Sequence, residues 1–90
     1  MAQFYYVYVL RSLVDGDFYT GYSQDLKRRF REHQDGRVPA TVRRRPFELV
    51  YYEACRTSTD ATRREKYLKT AWGKRYLKVR LRDYLTGLTS

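Results

Sequence analysis

Glu65 is the residue whose setting most calls for a chemical explanation. Between Thr57 and Trp72, apolar residues stand at Ala61, Leu68 and Trp72, and position 65 completes the same stripe in steps of four, three and four. A helix in that frame turns three apolar side chains and one carboxylate toward the core. An inward glutamate needs a cation, hydrogen bonds or a raised pKa to be tolerated. The alternatives are an ion pair with Arg29 or another arginine, a helix rotated so that Glu65 is exposed, or a bound metal. The chain has one cysteine and one histidine, too few for a structural zinc site. Magnesium differs, because it keeps several waters and can be held by one protein carboxylate together with phosphate oxygens of a substrate. A lone glutamate therefore suits a metal that arrives with a phosphodiester.

A second group with chemical capacity lies upstream. Arg29 sits beside Leu26 and Phe30, at the inner edge of a helix expected to begin near Ser23 and to end near Asp35-Gly36. Phosphate binding explains an arginine there better than packing does, since a guanidinium matches phosphate oxygens two at a time and stabilises charge that develops in phosphoryl transfer. His33, one turn later, either donates to the same phosphate or leaving oxygen, or is a core-edge histidine with a backbone partner. Earlier still, aromatic and β-branched runs flank Asp15-Gly16, a strong signal for a β-hairpin. With a two-residue loop, Val14 faces Asp17 and Leu10 faces Gly21. Side chains alternate along strands, so Tyr6, Tyr8, Tyr19 and Gly21 then share one face, two phenols beside a position with no side chain.

Tyr6-Val7-Tyr8 and Tyr19-Thr20-Gly21, with Tyr8 and Tyr19 eleven residues apart, resemble the two tripeptides of the GIY-YIG nuclease family. Arg29 falls where that family has its arginine and Glu65 where it has its metal-binding glutamate. The likeness spans nearly the whole chain and is to small stand-alone members. It implies a DNA endonuclease with Tyr8, Tyr19, Arg29 and His33 as catalytic residues and Glu65 as the ligand of Mg²⁺ or Mn²⁺. Of the two tyrosines Tyr8 is favoured for activating water. An unperturbed phenol titrates near pH 10, and Arg29 with a metal-bound water is expected to ease its deprotonation.

These groups need a scaffold, and the chain has room for one. Ninety residues with 42% hydrophobic content bound a single domain over residues 1–90. Residues 4–12 and 17–22 read as the hairpin strands. Residues 37–46, with two prolines and three consecutive arginines, read as a loop. Phe47 to Arg56 is a third strand. A second helix, capped by Thr57 or Ser58, runs to about Ala71 or Trp72, where Gly73 breaks it. A basic third helix extends from Lys74 to about Leu85. The order ββαβαα predicts an α+β fold, a three-stranded antiparallel sheet flanked by helices.

Charge narrows the partners. A formal net charge of +9 on 90 residues favours a polyanion, with Arg28, Arg43, Arg44, Arg45, Lys74, Arg75 and Lys78 as the candidate nucleic-acid-binding set. DNA is the expected partner and RNA a possible one; strand-displayed aromatics would suit unpaired bases. No base-reading motif is present, so a cutting enzyme would choose DNA by shape or through a partner protein that supplies targeting. No apolar run approaches a membrane span. The lone Cys55 rules out an internal disulfide and reads as a buried thiol, and with no leader at residues 1–10 the expected location is the cytoplasm. The alternative function is a nucleic-acid-binding module that cuts weakly or not at all. In its favour, Tyr6 stands where the family has glycine, Thr20 replaces isoleucine, and the chain has no asparagine.

Overall fold

The computed structural model describes residues 2–88. Its elements are β1 (Tyr5–Ser12), β2 (Phe18–Ser23), α1 (Leu26–Gln34), β3 (Phe47–Cys55), α2 (Ser58–Leu68), α3 (Ala71–Arg80) and α4 (Arg82–Gly87), with one turn of 3-10 helix at Val42–Arg44. The strands form an antiparallel sheet in the order β2-β1-β3, so the expected α+β architecture is the one observed. Because β1 lies between the other two strands and both sheet faces are covered, the run Val7–Leu10 is buried throughout. Val7 and Val9 pack with Ala61, Leu68 and Leu77 of α2 and α3 on one face. Tyr8, Leu10 and Phe47 pack with Tyr19, Leu26 and Phe30 on the other, which α1 covers. Each fully buried valine or leucine stabilises the fold by about 2 kcal/mol.

The hairpin closes differently from the expected two-residue loop. Ser12 donates its N–H to Asp17 O at 3.0 Å, leaving the four residues Leu13–Gly16 to turn. Gly16 takes φ +76°, the left-handed region that glycine enters freely, and donates to Ser12 O at 2.9 Å. The Ser12 hydroxyl accepts the N–H groups of Val14 and Asp15 at 3.1 and 3.2 Å. A tighter turn would forfeit these bonds. The pairs are therefore Tyr8 with Gly21 and Leu10 with Tyr19, not Leu10 with Gly21. A slip of two residues preserves which face each side chain takes, so Tyr6, Tyr8, Tyr19 and Gly21 remain on one face.

Three helix boundaries also move. Asp25, not Ser23, caps α1: its carboxylate accepts the Arg28 N–H, and the Ser23 hydroxyl accepts the N–H of Asp25. The far end is as expected, with Gly36 just past the C-cap at φ +78°. Gly73 does not end α2. That helix stops at Leu68, and Thr70 caps α3 by accepting the Gly73 N–H at 3.2 Å. Gly73 is buried because α3 there meets the backbone of Tyr67 and Leu68 so closely that a Cβ would collide with it. Trp72 consequently belongs to α3. It is 68% exposed and lies against the Arg75 guanidinium at 5.4 Å, outside the inward stripe. The basic third helix is broken at Leu81 into α3 and α4. Cys55 is half-buried, and burial first, then the charges of Glu53 and Asp60, pushes its thiol up, away from thiolate chemistry. Among the described residues, no helix is long and apolar enough to cross a membrane.

Candidate active site

The site is built around the Tyr8 hydroxyl. Tyr8 comes from the central strand, and its ring crosses toward β2 over its register partner Gly21. A Cβ on Gly21 would collide with Tyr8 Cζ and Oη. Tyr8 is 1% exposed, and α1 lies above it. His33 occupies the last turn of α1, also fully buried, with its Nε2 at 2.9 Å from Tyr8 Oη. Its Nδ1 lies 2.8 Å from Thr41 Oγ1, and the Thr41 hydroxyl donates to Val38 O at 3.4 Å. With its hydrogen spent on Val38, Thr41 accepts from His33 Nδ1–H. The His33 Nε2 lone pair is then left to accept from Tyr8 O–H. Phe47 and Tyr19 pack edge-on to the imidazole, with centroids 5.9 and 5.1 Å away.

Electrostatics match this assignment. Burial, and after it the Arg29 charge, pushes the His33 pKa down to about 4, so the imidazole is neutral at pH 7. Burial pushes Tyr8 up to about 12; Arg29 acts in the other direction, and nearby Tyr19 and Glu65 add to the cost of a phenolate. The expectation that Arg29 eases Tyr8 deprotonation is thus outweighed in the free protein by desolvation. Arg29 is held in its charged form, first by Tyr8, and it donates to Glu32 Oε1 at 3.0 Å. Its side chain remains 37% exposed, leaving guanidinium edge for a ligand.

Glu65 projects from α2 between the buried Ala61 and Leu68. Its side chain is 20% exposed and accepts from Lys69 Nζ at 2.9 Å. The helix is in the expected frame. The partner is a lysine one turn on, which spacing did not single out, and not an arginine. Glu65 is also within electrostatic reach of Tyr8, although it comes from the helix layer on the opposite side of the sheet from α1. Tyr8, Tyr19, Arg29 and His33 thus come together, with Tyr8 and His33 enclosed and Tyr19 and Arg29 partly open, and Glu65, also partly open, is linked to them through its charge at Tyr8. His33 has no path to a phosphate; its two nitrogens are taken by Tyr8 and Thr41. Thr41 is the member that sequence reasoning missed. A buried histidine demands a partner for each nitrogen, but nothing local identified which loop residue supplies one.

Glu65 is a hard oxygen donor of the kind a divalent ion that keeps its waters and shares phosphate oxygens can use, and such an ion would have to displace the Lys69 ammonium from it. Among the described residues, no three His, Cys, Asp or Glu side chains cluster into a ready-made cage.

The basic residues separate into distinct roles. Lys74 and Lys78, with Lys69, line a groove of about 700 Å³ to which Tyr19 also contributes. Arg28 is 71% exposed and reaches Glu32 only at 4.0 Å. Arg43 is exposed. Arg44 lines the same groove but is held by the hairpin turn: it donates to the Asp15 carboxylate at 2.8 Å and to Asp17 O at 3.2 Å, and lies against Phe47. Arg45 folds over Gly36 and donates to Val42 O and Gln34 O. Arg75 is stacked on Trp72, a different partner from the groove that Lys74 and Lys78 line.

Against known families, residues 4–77 match the GIY-YIG catalytic domain. A UPF0213 protein of Staphylococcus saprophyticus is 37% identical over 76 residues, covering 83% of this chain and 92% of the relative. One from Staphylococcus epidermidis is 38% identical with the same coverage. The solution NMR structure of a UPF0213 protein from Bacillus halodurans superposes with a TM-score of 0.52 at 36% identity, covering 82% of this chain and 81% of the other.

Proposed function

Since this chain belongs to the GIY-YIG catalytic domain family, we propose that it is a divalent-metal-dependent endonuclease of the cytoplasm. It hydrolyses phosphodiester bonds in DNA and selects substrates by structure or through a targeting partner. The observation that carries this reading is the directed hydrogen-bond chain ending at Tyr8, set among Arg29, Tyr19 and Glu65. Arg29 holds the scissile phosphate through its exposed edge and opposes the charge that builds on its oxygens. Tyr8, a phenol at neutral pH, acts by relay. As the attacking water bonds to phosphorus, its proton passes to the Tyr8 oxygen while the Tyr8 proton shifts to His33 Nε2. The bond to the 3′ oxygen breaks and that oxygen takes a proton from solvent. The enclosed imidazolium, with a pKa of about 4, returns its proton through Tyr8 to solvent. Thr41 fixes the tautomer that makes this transfer possible. Tyr19, half-buried at the groove wall, donates to a phosphate oxygen. Glu65 would hold Mg²⁺ or Mn²⁺, which supplies Lewis-acid stabilisation of the leaving oxygen.

The test is incubation with nicked, branched, single-stranded and duplex DNA in Mg²⁺, Mn²⁺ or EDTA, comparing wild type with Tyr8→Phe. Tyr8→Phe removes one oxygen and little packing. It should lower cleavage at least ~10²-fold with DNA affinity unchanged. No cutting by wild type on any of these substrates refutes the nuclease reading and leaves the binding-module alternative, which the net charge of +9 supports.

A further inference from the structure

A second groove, of about 820 Å³, opens on the Tyr8 face of the sheet, between the start of α1 and the strands β1 and β3. Tyr52 is the register partner of Tyr8 on β3 and is 54% exposed. The Tyr6 ring meets it edge-on at 6.1 Å. Leu26, Phe30 and Leu49 form the apolar floor, and Gln24, Lys27 and Arg28 form the rim. We propose that this groove is a subsite for an unpaired nucleobase of the DNA strand being cut, stacked against Tyr52 and Tyr6. The inference rests on the nuclease reading of the Tyr8 site and extends it to a substrate class.

Four observations converge on a base. First, a half-exposed aromatic ring in mid-strand, braced by a second ring, is a stacking platform, and every base offers a π-face to one. Second, the rim is cationic. Its acidic member, Asp25, is already committed to capping the Arg28 N–H. Lys27 is exposed, and Arg28 has only a distant partner, so both can take flanking phosphates. Third, the Gln24 side chain has no hydrogen-bond partner among the described residues and offers both a donor and an acceptor to a base edge. Fourth, the groove lies on the same sheet face as the Tyr8 site and beside it in the chain: Tyr6 is two residues from Tyr8, about 7 Å along the backbone, and Arg28 precedes Arg29 on α1, while the Tyr8 hydroxyl itself turns the other way, toward β2. A nucleotide next to the scissile phosphate would arrive here. In a duplex both faces of each base are stacked on neighbours, so a platform of this kind selects a base that is single-stranded, bulged or extruded.

The test uses binding in EDTA, where nothing is cut. Fluorescence anisotropy with a single-stranded oligodeoxynucleotide and with its duplex is measured for wild type, Tyr52→Ala and Tyr52→Phe. Irradiation of the same strand carrying 5-iodouracil maps its contacts. Tyr52→Ala should weaken single-strand binding about tenfold and duplex binding less than twofold. Tyr52→Phe should behave as wild type, and crosslinks should fall on Tyr52 or Tyr6. Equal loss for both forms of DNA, no loss for either, or wild-type crosslinks elsewhere overturn the proposal; the last measurement needs no variant to fold. If wild type cuts DNA while these binding results fail, the subsite alone falls. If they succeed while wild type cuts nothing, the nuclease reading falls and the base-binding groove stands.

Discussion

Acid should destabilise this protein through a single residue before its carboxylates take part. His33 is the chain's one histidine, fully enclosed, with its pKa pushed down to about 4 by burial and by Arg29. In the unfolded chain an imidazole titrates near 6.5. Between those values the unfolded state binds the proton and the native state does not, so stability is fully present above pH 6.5 and declines as pH falls toward 4. Going from pH 7 to pH 5, the difference amounts to about 2 kcal/mol, rising to about 3 kcal/mol near pH 4, where carboxylate titration joins in. For a domain of this size the first step corresponds to a melting temperature about 10 °C lower. Urea unfolding at pH 7, 6 and 5 and constant ionic strength measures it, with His33→Gln as the control. The glutamine can keep one hydrogen bond to Tyr8 or Thr41 but cannot titrate, so the slope from pH 7 to 5 should vanish. Equal wild-type stability at pH 7 and 5, or an imidazole that titrates near 6.5 in the folded protein by NMR, would refute the enclosed neutral relay. A further consequence is that the relay stays intact at pH 5, so acid loss of activity should track unfolding.

Other perturbations separate the roles. Gly21→Ala places a methyl group against the Tyr8 ring; it should cost about 1–3 kcal/mol in urea unfolding and abolish cleavage, whereas a fully active variant would show that Tyr8 need not lie where it does. Glu65→Gln removes the ion pair with Lys69, which contributes about 0.5 kcal/mol or less; it should melt near wild type, bind DNA at least as well and lose metal-dependent cleavage, while a destabilised but active variant would make Glu65 structural. Arg44→Ala should lower the melting temperature by several degrees by releasing the Asp15 turn, and Arg43→Ala should leave melting unchanged while lowering the slope of log K against log salt by about one. Equal effects of the two arginines on stability would contradict their separate assignments.

Much of this architecture is written in local pattern. The alternation through Tyr6-Val7-Tyr8-Val9 makes β1 a strand with two different faces, and Asp15-Gly16 supplies the residue that can adopt a positive φ in the turn. Period two also guarantees that Tyr8, Tyr19 and Gly21 share a face even though the register is two residues from the expected one. The stripe Ala61–Glu65–Leu68 fixes which side of α2 the carboxylate takes. These features depend on chain geometry over a few residues, so the sequence determines them alone. Tertiary structure decided the rest. The turn grew to four residues because the Ser12 hydroxyl gathers its amides and Arg44, from a distant loop, ties down Asp15. Gly73 lies inside a helix because α3 approaches the α2 backbone, a contact no propensity encodes. Thr41 became the partner of His33 because the loop after α1 folds back over it. Burial then set the protonation states: the same imidazole and phenol in water would titrate near their ordinary values, and only the packed sheet and helix around them make His33 an acceptor and Tyr8 a donor.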